Sequence, residues 1–137
     1  MRYEEEKGNY VERINGEIIP HSSHDDNDLL IDEPEEVQTM VLIWINWCIT
    51  PRETVNHKMS SYGLKHCLEE MTGIYLTNNQ FKHAMLMCGY RPESYNALNW
   101  YFSISSNSVC FSSHNKTGFK EIIRDKLYKL GGANDEA

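Results

Sequence analysis

The stretch SYGLKHCLEEMTGIYLTNNQFKHAMLMCG, residues 61–89, decides the fold of this chain. Its first part places apolar residues at helical spacing, and Gly73 is a typical residue to end that helix. A second helix is predicted to begin at Thr77, because Gln80 stands three residues later and completes a capping box. Gly89 is expected to end this second helix. The stretch therefore predicts two short helices joined by a tight turn.

Both predicted helices have one apolar face, so each needs a further apolar surface to pack against. Another helix is predicted just before them, with Asp32 as its N-cap, Pro34 in its first turn and Thr50-Pro51 at its end. Residues 51–59 are polar and predict a loop. The apolar faces of the three helices consist of Val37, Met40, Val41, Trp44, Trp47 and Cys48, then Leu64, Cys67, Leu68 and Met71, then Phe81, Ala84, Met85 and Cys88.

The last third of the chain contains a β pattern and one more helix. Residues 100–104 and 109–111 alternate apolar and polar positions on either side of a Ser-rich turn, which predicts a two-stranded hairpin. Residues 117–130 predict an amphipathic C-terminal helix. We therefore predict a mainly α fold with a small β-hairpin (α+β), which consists of a three-helix core, a hairpin wing and a C-terminal amphipathic helix.

The order of these elements over residues 37–112 resembles the winged-helix family of helix-turn-helix domains. Four short motifs make the resemblance more specific, namely SYGLKH at 61–66, TNNQF at 77–81, GY at 89–90 and NWYF at 99–102. They are similar to motifs of small proteins from bacteriophages and mobile elements, and more loosely to the C-terminal winged helix of phage primase-helicases.

The charge of the 137-residue chain is asymmetric. Residues 1–36 hold 12 acidic and 3 basic residues, a net charge of −9, whereas residues 37–137 hold 8 acidic and 10 basic residues, a net charge of +2. Within the acidic part, Asn15-Gly16 between two short strand patterns predicts a tight hairpin, which needs a surface to lie on. We predict an acidic arm with a hairpin and a linker, a winged-helix-like domain, and a C-terminal helix with a tail, at 1–32, 33–113 and 114–137.

The resemblance implies that residues 78–88 form the helix that enters a DNA major groove. Asn reads adenine through two hydrogen bonds, and Lys reads guanine or holds a phosphate. The predicted wing, residues 99–113, contains no Lys or Arg, although phosphate contacts supply most of the affinity for DNA. Asn is also simply favoured near a helix start. The candidate nucleic-acid-binding residues, which we expect to face solvent, are Asn78, Asn79, Lys82 and His83, with Arg91 just beyond them.

The acidic arm indicates a different kind of function. A run of carboxylates can imitate the phosphates of a nucleic acid and occupy the nucleic-acid channel of a host protein, such as a CRISPR-type nuclease. The other interpretations are a solubilising tail, or an arm that covers a basic face of its own chain. The candidate partner-binding residues are Asp25, Asp26, Asp28, Asp32, Glu33, Glu35 and Glu36.

No pattern for catalysis or for a cofactor stands out. The four cysteines, Cys48, Cys67, Cys88 and Cys110, are 19, 21 and 22 residues apart, too far for a zinc or redox motif, so we expect reduced core thiols and no metal. There is no nucleophile motif and no Gly-rich phosphate loop, so we expect no enzyme and no cofactor. The first residues contain no apolar signal region and the longest apolar run is Met40–Ile45, so we expect a cytoplasmic protein that contacts no membrane.

The sequence thus predicts a non-catalytic, phage-type winged-helix protein that docks on a host protein of nucleic-acid metabolism or defence and inhibits it. The alternative is a DNA-binding regulator or replication accessory protein that uses residues 78–88 as its recognition helix. A homo-oligomer is compatible with either function. The small positive charge of residues 37–137 favours the protein partner over DNA.

Overall fold

The computed structural model of the protein describes residues 9–22 and 28–108. These residues form three α-helices and two small antiparallel sheets, so the α+β class is confirmed. A short 3-10 turn, Leu30–Asp32, precedes the first helix. In chain order the elements are β1 (Tyr10–Ile14), β2 (Glu17–His21), α1 (Glu35–Cys48), β3 (Pro51–Asn56), α2 (Ser61–Thr72), α3 (Asn78–Met87) and β4 (Phe102–Ile104).

The predicted hairpin in the acidic arm is confirmed as β1 and β2, which pair with Tyr10 opposite His21. Asn15 and Gly16 both have positive φ angles, 53° and 86°, as a tight two-residue turn requires. The hairpin lies on α3, and Ile18 is one of the core residues. The surface that a marginal hairpin needs is therefore α3 itself.

The first helix begins later than its sequence suggests. Pro34 occupies the N-cap position, and α1 has no side-chain cap. The predicted cap, Asp32, instead accepts the Leu29 N–H at 2.8 Å and closes the 3-10 turn. The expectation that Asp32 caps α1 is therefore wrong, because the short carboxylate side chain is already bound to a backbone amide upstream.

The two helices of the deciding stretch form as predicted. Gly73 has a φ of 82° at the C-cap of α2, and only a residue without a Cβ adopts that angle without strain. At the start of α3, the Thr77 hydroxyl accepts the Gln80 N–H at 3.1 Å, and the Gln80 side-chain oxygen accepts the Thr77 N–H at 3.0 Å. The predicted capping box is thus confirmed. Leu76, just before the N-cap, and Phe81, in the first turn of α3, are both fully buried.

The predicted loop at residues 51–59 is wrong in its first half, because Pro51–Asn56 is the strand β3. It pairs antiparallel with β4, and Pro51 lies opposite Ile104. The buried side chain of Asn56 donates to the Ile104 carbonyl at 3.2 Å. The second strand of the predicted wing, residues 109–111, and the predicted helix 117–130 lie outside the described residues.

The core lies between α1, α2 and α3 and extends under β4. Trp44 of α1 meets Phe81 of α3 edge to face, with ring centroids 6.3 Å apart. Trp100 and Phe102 continue this aromatic cluster at 6.1 Å. Leu30 of the 3-10 turn is fully buried in the same core. The described end of the acidic arm therefore packs onto the domain.

Candidate functional site

The predicted DNA-reading face of α3 is covered. Asn79, Lys82 and His83 are only 1%, 1% and 3% exposed. The expectation that they face solvent is wrong, because β2, the 3-10 turn and the loop before β4 pack against this helix. Asn78 is partly buried, and of the five candidates Arg91 alone is exposed.

Three polar side chains of α3 hold the acidic arm by its main chain. The Asn79 amide donates to the Pro20 carbonyl at 2.9 Å and to the Asp28 carbonyl at 3.0 Å. The Gln80 amide donates to the Leu29 carbonyl at 3.2 Å. The His83 Nδ1 atom accepts the Leu30 N–H at 3.0 Å. These bonds satisfy backbone groups of the arm that would otherwise be buried without partners. These three residues are the attachment points of the arm.

His83 has to be neutral to make its bond. Burial lowers the pKa of the His83 imidazole below its ordinary value of 6.5, and the charges of Glu17 and Asp32 oppose part of this shift. In the neutral ring, Nδ1 can accept the Leu30 N–H. A protonated Nδ1 is itself a donor, so its N–H would face the Leu30 N–H and the hydrogen bond would be lost. The arm therefore has an attachment that depends on the protonation of one side chain.

Lys82 and Asn78 are bound on the other side of α3. The Lys82 ammonium donates to the Ala97 carbonyl at 3.2 Å and lies 4.9 Å from the centre of the Trp100 ring, which attracts a cation. The Asn78 amide donates to the Leu98 carbonyl at 2.9 Å and to the Asn99 side chain at 3.0 Å. Both side chains fix the loop that leads into β4.

The acidic segment, residues 28–36, forms a carboxylate surface beside this interface. It contains five acidic and no basic residues. Asp28, Asp32, Glu35 and Glu36 are exposed, and Glu33 is half-buried, where it accepts the Gln80 amide at 2.9 Å. Asp25 and Asp26 lie outside the described residues.

Three of these carboxylates have no partner within the described part of the chain, namely those of Asp28, Glu35 and Glu36. Glu35 and Glu36 lie in the first turn of α1, where negative charge favours the helix by about 0.3–1 kcal/mol. The 3-10 turn and α1 hold the segment in one conformation. A partner with a basic surface would meet carboxylates carried on an ordered main chain.

The cysteines in the described ranges are free thiols. Burial raises the pKa of Cys48 to about 12 and that of Cys88 to about 11, so both are neutral and unreactive near pH 7. Cys110 lies outside the described residues.

No three His, Cys, Asp or Glu side chains converge in a metal-binding geometry within residues 9–22 and 28–108. The His57–Glu93 pair, at 2.9 Å, is exposed to solvent. None of the helices in these ranges is long and apolar enough to cross a membrane.

Sequence reasoning missed the second role of Gln80 and the cleft that Arg52 and Arg91 both line. Gln80 completes the capping box and also binds the arm. Arg52 and Arg91 line one cleft, although they are 39 positions apart in the sequence. With 39 positions between them, the two arginines give no sign in the sequence that they line one cleft. The three successive side-chain amides at 78–80, by contrast, indicate that the polar residues at this helix start do more than cap the helix.

Comparison with known proteins gives no relative for this chain. No family model, no curated protein and no solved structure matches it. The resemblance to winged-helix proteins of phages therefore stays a prediction that depends on the element order and the quoted motifs.

Proposed function

We propose that this protein is a non-catalytic docking protein that binds a basic surface of a nucleic-acid-handling protein through its acidic segment, residues 28–36. The carboxylates take the place of phosphates and compete with nucleic acid for the same arginines and lysines. A host protein of defence, such as a CRISPR-type nuclease, is a partner of the expected class. The protein acts as an inhibitor in this scheme.

One observation carries the proposal: the unpaired carboxylates of Asp28, Glu35 and Glu36 are exposed on a folded base. A flexible acidic tail loses conformational entropy when it binds, whereas a segment already fixed by the 3-10 turn and α1 loses less. The bonds from α3 to the main chain at residues 28–30 supply this order without consuming the three carboxylates.

The same contacts weigh against the alternative of a DNA reader that uses residues 78–88. A recognition helix needs its first turns open to the groove, and Asn79, Lys82 and His83 are covered. For α3 to reach a base, the arm would have to leave and expose Leu30 and Ile18. We therefore propose a winged-helix-like domain that serves as a scaffold for its acidic segment, since fold does not fix function.

The test is capture with the tagged full-length chain from a bacterial lysate, with and without nuclease treatment. We expect the wild type to retain a nucleic-acid-handling protein, and duplex DNA to displace it from the purified complex. The triple variant Asp28→Asn, Glu35→Gln, Glu36→Gln should bind that protein more weakly, most clearly at low salt, because screening weakens exposed charges.

The matched control is Glu53→Gln, Glu69→Gln, Glu70→Gln, which removes the same charge elsewhere. Equal weakening by both triple variants would assign the effect to net charge and contradict a defined site. Capture that depends on intact nucleic acid, or that is unchanged in the first triple variant, would overturn the proposal in favour of direct nucleic-acid binding or of another surface.

A further inference from the structure

A cleft between the end of α1, β3, β4 and the end of α3 is lined by two arginines. Its volume is about 540 Å³, within the range of small-molecule sites. Arg52 of β3 and Arg91, which follows α3, both line it, together with Ser103 of β4. Ile49, Pro51 and the Tyr90 side chain provide an apolar part of the wall. The cleft therefore combines positive charge with an apolar surface.

Main-chain carbonyls hold both guanidinium groups in place. Arg52 donates through Nε to the Thr54 carbonyl at 2.9 Å and through Nη2 to the Val55 carbonyl at 3.2 Å. Arg91 donates through Nη1 to the Leu86 and Tyr90 carbonyls at 3.3 and 3.1 Å. A guanidinium has five N–H donors, so each arginine keeps donors for a ligand. The side chains are already ordered, which reduces the entropy lost on binding.

The described carboxylates leave the positive charge of this cleft unpaired, and Glu17, which lines a neighbouring pocket with Arg91, makes no ion pair with it. None of the described residues that line the cleft is acidic. Neither arginine has an ion pair with a described carboxylate. The nearby Glu93 is instead bound to His57 at 2.9 Å. The Cys88 thiol, which also lines the cleft, is neutral because burial raises its pKa to about 11. The cleft therefore favours an anion.

We propose that this cleft binds the phosphate group of a nucleotide-sized ligand, with Arg52 and Arg91 as the two cationic contacts and Ser103 as a hydroxyl donor. A planar guanidinium group can donate two parallel hydrogen bonds to two oxygens of one phosphate. The apolar wall suits the base or sugar of the same ligand. Free nucleotides and the end of a nucleic-acid strand present the same phosphate chemistry. The residues that line this cleft lie outside the acidic segment, and the proposal does not depend on the partner proposed above.

The test is titration calorimetry of the full-length protein with pyrophosphate, ATP and a single-stranded oligonucleotide. We expect binding that Arg52→Gln or Arg91→Gln weakens about tenfold or more, the loss typical of a hydrogen bond to a charged group. Arg52→Lys and Arg91→Lys should retain part of the affinity, because they keep the charge and lose the fork. Tighter binding of ATP than of the oligonucleotide indicates a free nucleotide as ligand, tighter binding of the oligonucleotide indicates a strand, and equal affinity indicates that the cleft reads only the phosphate that both share.

Arg13→Gln on β1 is the control, since it removes the same charge from an exposed arginine outside the cleft. A second measurement needs no variant: ATP added to the labelled wild type should shift the amide resonances of Asn46, Gly89 and Ser103. The proposal is overturned when no probe binds, when Arg13→Gln weakens binding as much as the cleft variants, or when the shifted resonances lie elsewhere.

Discussion

Asn79 has a different role in the structure from the one that the sequence predicts. By sequence it is a candidate reader of adenine, and in the structure its amide binds the Pro20 and Asp28 carbonyls. We expect Asn79→Ala to lower the free energy of unfolding by about 1–3 kcal/mol, because two carbonyls lose a buried donor. Asn107→Ala, at an exposed position, is the control. Urea melts measure both, and an Asn79→Ala protein as stable as the control would contradict these contacts.

Phe81 is the corresponding test for the apolar side of α3. It is fully buried against Trp44, so Phe81→Ala should cost about 3–5 kcal/mol through lost contacts and a cavity. Leu98→Ala, at a side chain 51% exposed, should change the urea midpoint little. Equal effects of the two substitutions would mean that α3 does not face the core through Phe81.

The elements that could be predicted from the sequence are those whose structure depends on residues adjacent in the chain. Asn15-Gly16 carries its own turn geometry, and Thr77 with Gln80 carries its own cap, so both could be found from neighbouring residues. The strand β3 could not, because PRETVN has no alternation of apolar and polar residues and forms through its pairing with β4, about fifty residues later. The coverage of α3 was missed for the same reason: the partners of Asn79 and His83 lie 51 to 59 positions away.

The contact between the arm and α3 is the element whose stability should depend on pH. The pKa of His83 is lower in the folded protein than its ordinary value of 6.5. This group's contribution is therefore complete above 6.5 and is lost as the pH falls below 6.5 toward the lowered pKa. His83→Gln removes the titration and keeps an acceptor for the Leu30 N–H.

The measurement is the free energy of unfolding of both proteins at about pH 7.5 and about pH 5.5. The wild type should lose more stability than His83→Gln over this interval, and the protection factor of the Leu30 amide, which corrects for the intrinsic exchange rate at each pH, should fall in the wild type alone. Identical pH dependence in the two proteins would contradict a neutral His83 as the acceptor.

At the scale of the whole molecule, the arm is a structural part of the domain. A chain that starts at Val37 lacks Ile18 and Leu30, two core residues, and leaves the polar groups of α3 without partners. We expect this truncation to lower the urea midpoint strongly. Leu30→Ala in the full chain should cost about 2–5 kcal/mol, whereas Ile31→Ala, 57% exposed, should cost little. A truncated protein of unchanged stability would contradict the docked arm, and would make deletion a clean test of partner binding.

The bonds from α3 to the arm also have an evolutionary consequence. Asn79, Gln80 and His83 bind main-chain groups of residues 28–30, so these bonds do not depend on the side chains of Asp28 and Leu29. Asp28, Glu35 and Glu36, whose carboxylates have no partner in the described part of the chain, can therefore mutate one at a time without loss of the fold. A lineage in conflict with a changing partner would keep the three α3 residues and vary the charges displayed on them. The residues that hold the arm are therefore different from the residues that carry its exposed charge.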